Sequence, residues 1–139
     1  METMASSYII QSRTHERNAE KLLDIPVGVK TVYCPVNISG RHWILLILNM
    51  LTKNIKVYDP QGNEHADTVG KFQLWLGAAA WSAVYPLHKH RIPRQDNGFD
   101  CGVFVCMYAS YQMHRHEFDF KQRDMEDFRK WIAHRIARG

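Results

Sequence analysis

Between Arg41 and Leu51 the chain is apolar at almost every position, with Trp43, Ile44, Leu45, Leu46, Ile47 and Leu48 following one another without a polar break. A continuous run of this length, bounded by turn residues, predicts a strand covered on both faces, here from His42 to Met50. The stretch before it, Lys30 to Val36, predicts another strand, and Pro35 pushes that strand toward an edge or an end. Asn37 to Arg41 is a turn. On the other side, Thr52-Lys53-Asn54 is a polar connection to a strand from Ile55 to Tyr58, closed by Asp59-Pro60-Gln61-Gly62. The short link between these last two strands predicts a hairpin.

Elsewhere the period changes to that of a helix. From Glu64 to Ala80, the residues Val69, Phe72, Trp75, Leu76 and Ala79 share one face. From Cys101 to about His114, Val103, Phe104, Val105, Met107 and Tyr108 predict a buried helix. A last amphipathic helix is expected from Arg123 to Ala137, with Met125, Phe128, Ile132 and Ile136 in register and basic residues toward its C-terminus. Val84 to Pro93 reads as extended. The first thirty residues give weak signals: Tyr8-Ile9-Ile10 suits a short strand or a helix tail, Glu16 to Leu23 about two helical turns, and Asp24 to Gly28 a break. Strands first and helices mostly after them predict an α+β fold with a mainly antiparallel sheet packed on helices.

With 139 residues, the chain is expected to form a single domain, residues 1–139, large enough for a real core. An apolar share of 45% with 23% charged residues is ordinary globular composition and excludes a disordered chain. The net charge of +4 suits an acidic partner or weak nucleic-acid attraction. No alternation of aromatic and basic residues, and no nucleic-acid motif, supports the second. Three cysteines, an odd number without a secretory signal, predict free thiols in a reducing interior, nucleus or cytoplasm. The longest apolar run is too short to cross a membrane.

One of those cysteines stands apart. Gln95-Asp96-Asn97-Gly98-Phe99-Asp100 is a polar loop that runs directly into the helix beginning at Cys101. A thiol at a helix N-terminus is tilted toward the thiolate by unpaired N–H groups and the helix dipole. On its own such a cysteine is more often a small buried hydrophobe, which is how Cys34 and Cys106 read. A thiol protease also needs an imidazole, a group orienting it and an oxyanion donor. His42 begins one hairpin strand and Asp59 ends the next, so antiparallel pairing brings them side by side. The Gln95 side-chain amide lies one loop before Cys101 and could join its backbone N–H at the oxyanion. Cys101, Cys106, His114 and His116 match no familiar zinc spacing, and neither a metal nor a cofactor is expected.

The run Gln95-Asp96-Asn97-Gly98-Phe99-Asp100-Cys101-Gly102, with His42-Trp43 and Asp59 before it, resembles the ubiquitin-like-protein-specific (SUMO/sentrin) cysteine protease family, and more distantly the adenoviral endopeptidase. The resemblance covers Thr31 to Phe104 and extends loosely over the last helix. It implies a papain-like fold of permuted chain order and cleavage after the C-terminal Gly-Gly of a ubiquitin-like modifier such as SUMO, ubiquitin or a Nedd8-like protein. By matching position, Cys101 is the nucleophile, His42 the general base, Asp59 the orienter and Gln95 the oxyanion donor. Trp43 would line the narrow tunnel for the two glycines, and Asn97 and Asp100 would shape the turn before Cys101. Two departures stand out: Pro60 follows the acid where cellular members usually have Ser, and part of the family's N-terminal region has no counterpart. The alternatives this leaves are a modifier-binding pseudo-protease and a peptide-specific viral or transposon-type endopeptidase.

Overall fold

A computed structural model describes residues 7–9, 25–77, 80–86 and 92–138. Five strands, β1 (Ser7–Ile9), β2 (Thr31–Ile38), β3 (His42–Asn49), β4 (Asn54–Tyr58) and β5 (Ser82–Val84), form one sheet in chain order. The helices are α1 (Ala66–Trp75), α2 (Cys101–Met113) and α3 (Met125–Arg138), the last entered through a 3-10 turn at Gln122–Asp124.

The two long pairings, β2 with β3 and β3 with β4, are antiparallel. The short outer ones, β1 with β2 and β4 with β5, are parallel. The α+β expectation therefore holds with an antiparallel centre and two parallel edges. A parallel neighbour needs a long crossover, and α1 lies in the one that joins β4 to β5.

β3 is the strand that organises the core, and it is covered on both faces as its apolar run requires. Ile44, Leu46 and Leu48 pack with Val32, Ile55, Val69 and Phe72 on the α1 side. Leu45 and Ile47 pack with Tyr58, Phe104, Tyr108 and Met125 on the side of α2 and α3. On that second face the rings of Tyr58, Phe104, Tyr108, Phe118 and Phe120 meet in tilted and edge-on pairs, an arrangement that suits their quadrupoles.

Pro35 stands within β2 rather than at its end. The parallel edge strand pairs only Thr31 to Tyr33, so Pro35 sits beyond it, where one flank of β2 has no neighbour among the described residues. A residue without an N–H fits such a position. The β2–β3 turn has positive φ at both Ser39 (54°) and Gly40 (72°) and is closed by Arg41 N–H to Ile38 O at 3.1 Å. Turns of that hand match the twist of the strands they join.

The helix expected over Glu64 to Ala80 is shorter. It starts at Ala66, and Gly77, with φ 95°, ends it by donating its N–H to Leu74 O at 3.2 Å. A glycine just past the last helical turn is a stop that apolar spacing overlooks. Ala79, the last residue of the expected face, lies outside the described residues, as do Ile10, the helical turns expected at Glu16 to Leu23, and residues 87–91 of the extended segment. In α3, Met125 is buried and Phe128 and Ile132 pack against the core, but Ile136 is 76% exposed. Trp131 is 47% exposed, beneath the Arg135 guanidinium. No helix among the described residues is long and apolar enough to cross a membrane.

The burial pattern separates residues of like chemistry. Leu46→Ala should lower the unfolding free energy by about 3 kcal/mol, and Ile136→Ala by less than about 0.5 kcal/mol, in urea titrations. Equal losses would mean that the end of α3 packs as its periodicity suggests.

Candidate active site

Tyr58 pairs with Leu45, so the same register carried one residue further sets Asp59 beside Ile44, two residues from His42 at the start of β3. The hairpin thus sets Asp59 next to His42, and His42 Nε2 lies 2.6 Å from Asp59 Oδ1. Asp59 is fully buried while His42 is half-buried. A buried carboxylate must find donors, and this one finds four. Oδ1 also accepts the Gln61 N–H at 2.8 Å, and Oδ2 accepts the Asn63 N–H at 3.2 Å and His65 Nε2 at 2.7 Å. Burial alone pushes the Asp59 carboxyl up, but the Gln61 N–H and the two imidazoles outweigh it and hold it below the ordinary carboxylate range. An ionised carboxylate only accepts, so both imidazoles carry their proton on Nε2. For His42 that leaves Nδ1 as the nitrogen able to take a proton from a neighbour.

The loop bearing Gln95 is fastened to the acid's own turn. Gln95 N–H donates to Pro60 O at 2.8 Å, and the Tyr108 hydroxyl donates to Pro93 O. Gly62, with φ 83°, lies under the Arg94 guanidinium: a Cβ there would fall 3.0 Å from Nη1. The Gln95 side chain is nine-tenths buried, and one Nε2 hydrogen goes to Asn97 O. Its Oε1 has no partner among the described residues. One amide hydrogen therefore braces the loop.

Asn97 and Asp100 shape the turn before Cys101, as expected. Asn97 Oδ1 accepts the N–H groups of Phe99 and Asp100 at 3.2 and 3.0 Å, and Asn97 Nδ2 donates to Asp100 Oδ2 at 2.7 Å. Asp100 is the cap residue of α2, yet its carboxylate makes no cap bond. It accepts instead from Gln122 Nε2 at 2.8 Å and from Arg129 Nε at 2.8 Å, and Arg129 Nη2 also reaches Phe99 O at 3.0 Å. Asp is a good N-cap because it usually covers the first free N–H groups. Turned away toward α3, it leaves those N–H groups at Cys101 uncovered by the side chain that ordinarily takes them.

Cys101 opens α2 with 6% of its surface exposed and no acidic residue in the first turn. Gly102, next to it, faces Trp43, next to His42: a Cβ at Gly102 would lie 3.7 Å from Trp43 Cδ1. The half-buried Trp43 packs on the same cluster as Val103 and Phe104. Cys34, by contrast, is sealed in the core, where burial pushes its thiol far up. Cys106 is exposed.

The residue that the sequence did not single out is His65. Its only linear signal is a histidine six positions after the acid, behind a Pro and a Gly that turn the chain back. His42, Asp59 and His65 are also the one group of described residues with metal-ligating atoms within 4.8 Å of one another. These atoms already bond to each other at 2.6 and 2.7 Å, so an ion would have to displace both hydrogen bonds.

Comparison with known proteins adds to this geometry. The model of the Ulp1 protease family, C-terminal catalytic domain, matches residues 2–138. A sentrin-specific protease of Caenorhabditis elegans is 29% identical over 118 residues, which is 76% of this chain and 16% of that protein. Sentrin-specific protease 2 of Pongo abelii is 31% identical over 107 residues, 68% of this chain and 18% of that protein. The chain thus spans less than a fifth of the length of these curated relatives. Among solved structures, the C-terminal Ulp1 protease domain in complex with Smt3, the yeast ortholog of SUMO, superposes with a TM-score of 0.72 at 22% identity, covering 93% of this chain and 66% of that one. That superposition bears out the fold expected from the resemblance.

Both buried carboxylates sit below the ordinary range; for Asp100 burial raises the carboxyl, and Asn97, Arg129 and Gln122 lower it further than burial raises it. A depressed folded pKa contributes stability that is complete above the unfolded value near 3.9 and is lost as pH falls through the folded one. The urea midpoint of Asp100→Asn should therefore lie below wild type at pH 7, and the two should converge as pH drops below about 4. A constant gap down to pH 2 would show that the Asp100 charge contributes nothing.

Proposed function

This chain belongs to the Ulp1 protease family, and from that premise we propose that it is a thiol protease and isopeptidase cleaving after the C-terminal Gly-Gly of a ubiquitin-like modifier, SUMO first among them. The observation that carries the reading is the 2.6 Å bond from His42 Nε2 to a fully buried Asp59, which directs Nδ1 away from the acid. Relatives named for sentrin and a fold neighbour complexed with a SUMO ortholog support the choice of modifier.

In this reading His42 Nδ1 takes the Cys101 proton, and the Asp59 carboxylate stabilises the imidazolium that results. The thiolate attacks the carbonyl carbon of the terminal glycine. The second Gln95 amide hydrogen and the Cys101 N–H receive the negative charge that develops on the carbonyl oxygen. As the C–N bond breaks, His42 returns its proton to the leaving amine and a thioester remains. Water, deprotonated by His42, then releases the modifier as a carboxylate and restores the thiol. Trp43, held against Gly102, walls the entry so that only glycine side chains pass. The reaction needs no metal or cofactor. In this reading the chain works in a reducing interior, nucleus or cytoplasm.

SUMO, ubiquitin and a Nedd8-type modifier, each carrying a C-terminal thiol-reactive group, make the test. SUMO should be captured covalently by the wild type and not by Cys101→Ala, and His42→Ala should slow capture by about two orders of magnitude or more. Capture at the wild-type rate by His42→Ala would remove His42 from the mechanism. Failure of every modifier to label an intact thiol would overturn the modifier-protease reading in favour of a binding role or a peptide-specific endopeptidase.

A further inference from the structure

His65 has a side chain, a backbone and a cap position that all point to one task. Its Nε2 meets Asp59 Oδ2 at 2.7 Å while His42 Nε2 meets Oδ1 at 2.6 Å. The two rings lie nearly parallel across the carboxylate, 6.2 Å apart and inclined by 29°. Each carboxylate oxygen thus takes one imidazole and one backbone N–H. Oδ1 would be well held without His65, since Gln61 N–H is at 2.8 Å. Oδ2 would keep only the longer 3.2 Å bond from Asn63.

The backbone at this position is unusual. His65 has φ 50° and ψ 50°, in the left-handed region that few L-residues adopt and that Asn, Asp and His adopt most readily. It stands at the N-cap of α1, yet its side chain makes no cap bond. A residue that both accepts a left-handed conformation and gives up capping its helix is held there by something else. The bond to Asp59 supplies the reason: in this conformation Nε2 reaches back across the turn to Oδ2.

We propose that His65 is a positioning residue for the reaction: it clamps the Asp59 carboxylate from the outer side, fixing the rotation that presents Oδ1 to His42. The inference rests on the catalytic reading above and extends it. His65 touches neither the sulfur nor the scissile bond, and acts through Asp59. Both imidazoles draw on one carboxylate charge, so the clamp holds the acid still at some expense of its basicity. It follows that the loss of His65 lowers turnover without weakening modifier binding, and lets the Asp59 carboxyl drift back up.

Two substitutions separate this role from a fold requirement. His65→Asn suits the left-handed backbone better but is too short to reach Asp59; His65→Gln keeps an amide N–H at the reach of Nε2 but suits that backbone worse. With SUMO carrying a C-terminal fluorogenic amide, H65N should lose five- to twentyfold in kcat with KM within twofold, and H65Q, which keeps a donor to Asp59, should recover most of that rate. Wild-type rates in both variants, or equal losses in both, would overturn the clamp. A second readout does not depend on turnover: the carboxyl carbon of Asp59, followed by NMR, should titrate at higher pH in H65N than in wild type. If the wild-type chain turns over no modifier, the catalytic reading fails while this titration still decides whether His65 holds Asp59; an unmoved midpoint would refute it.

Discussion

The site depends on burying a single carboxylate. Removing Asp59 from water carries a cost of several kcal/mol unless donors replace the lost hydration. The chain supplies them from two imidazoles and two N–H groups of the turn that follows the acid. This requirement explains why that turn is tight, why Gly62 with its positive φ is in it, and why the chain doubles back as far as His65 before α1 begins. An acid so enclosed has little freedom to reorient, and fixed dipoles are what a base needs beside it.

The sheet delivers the two halves of the site from opposite directions. β3 is locked by apolar contact on both faces, so the position of His42 follows from the packing of an eight-residue strand rather than from a loop. α2 lies on one of those faces, and its first turn faces Trp43 at Gly102, where even a Cβ would make only an ordinary contact. The Asp100 carboxylate, bonded to Arg129 and Gln122, then ties the start of α2 to α3. A helix far along the chain thereby holds the loop ahead of Cys101.

Much of this was legible because the signals were local. The unbroken apolar run from Trp43 to Leu48 marks an inner strand, and the hairpin that follows from it sets His42 beside Asp59 on pattern alone. The polar loop and the buried helix after it placed Cys101. What stayed hidden was decided by contacts between distant segments. Ile136 keeps the helical period of α3 and is nonetheless exposed. Gly77 cut α1 short through its backbone, which hydrophobic spacing does not register. The Asp100 side chain has cap chemistry, and bonds from Asn97, Gln122 and Arg129 take it elsewhere. His65 was a bare letter until the turn closed on it. For Gln95, the sequence implied an amide aimed at the substrate, and the fold commits half of that amide to Asn97.

The bond from Gln95 N–H to the carbonyl of Pro60 has a mechanical consequence. The acid-bearing corner and the amide-bearing corner are stitched together through a peptide unit whose φ is locked by a pyrrolidine ring. Such a ring narrows the unfolded ensemble and leaves the native corner little room to hinge. Both corners must then shift as one body, so a disturbance at either reaches the other, and neither can be retuned in isolation.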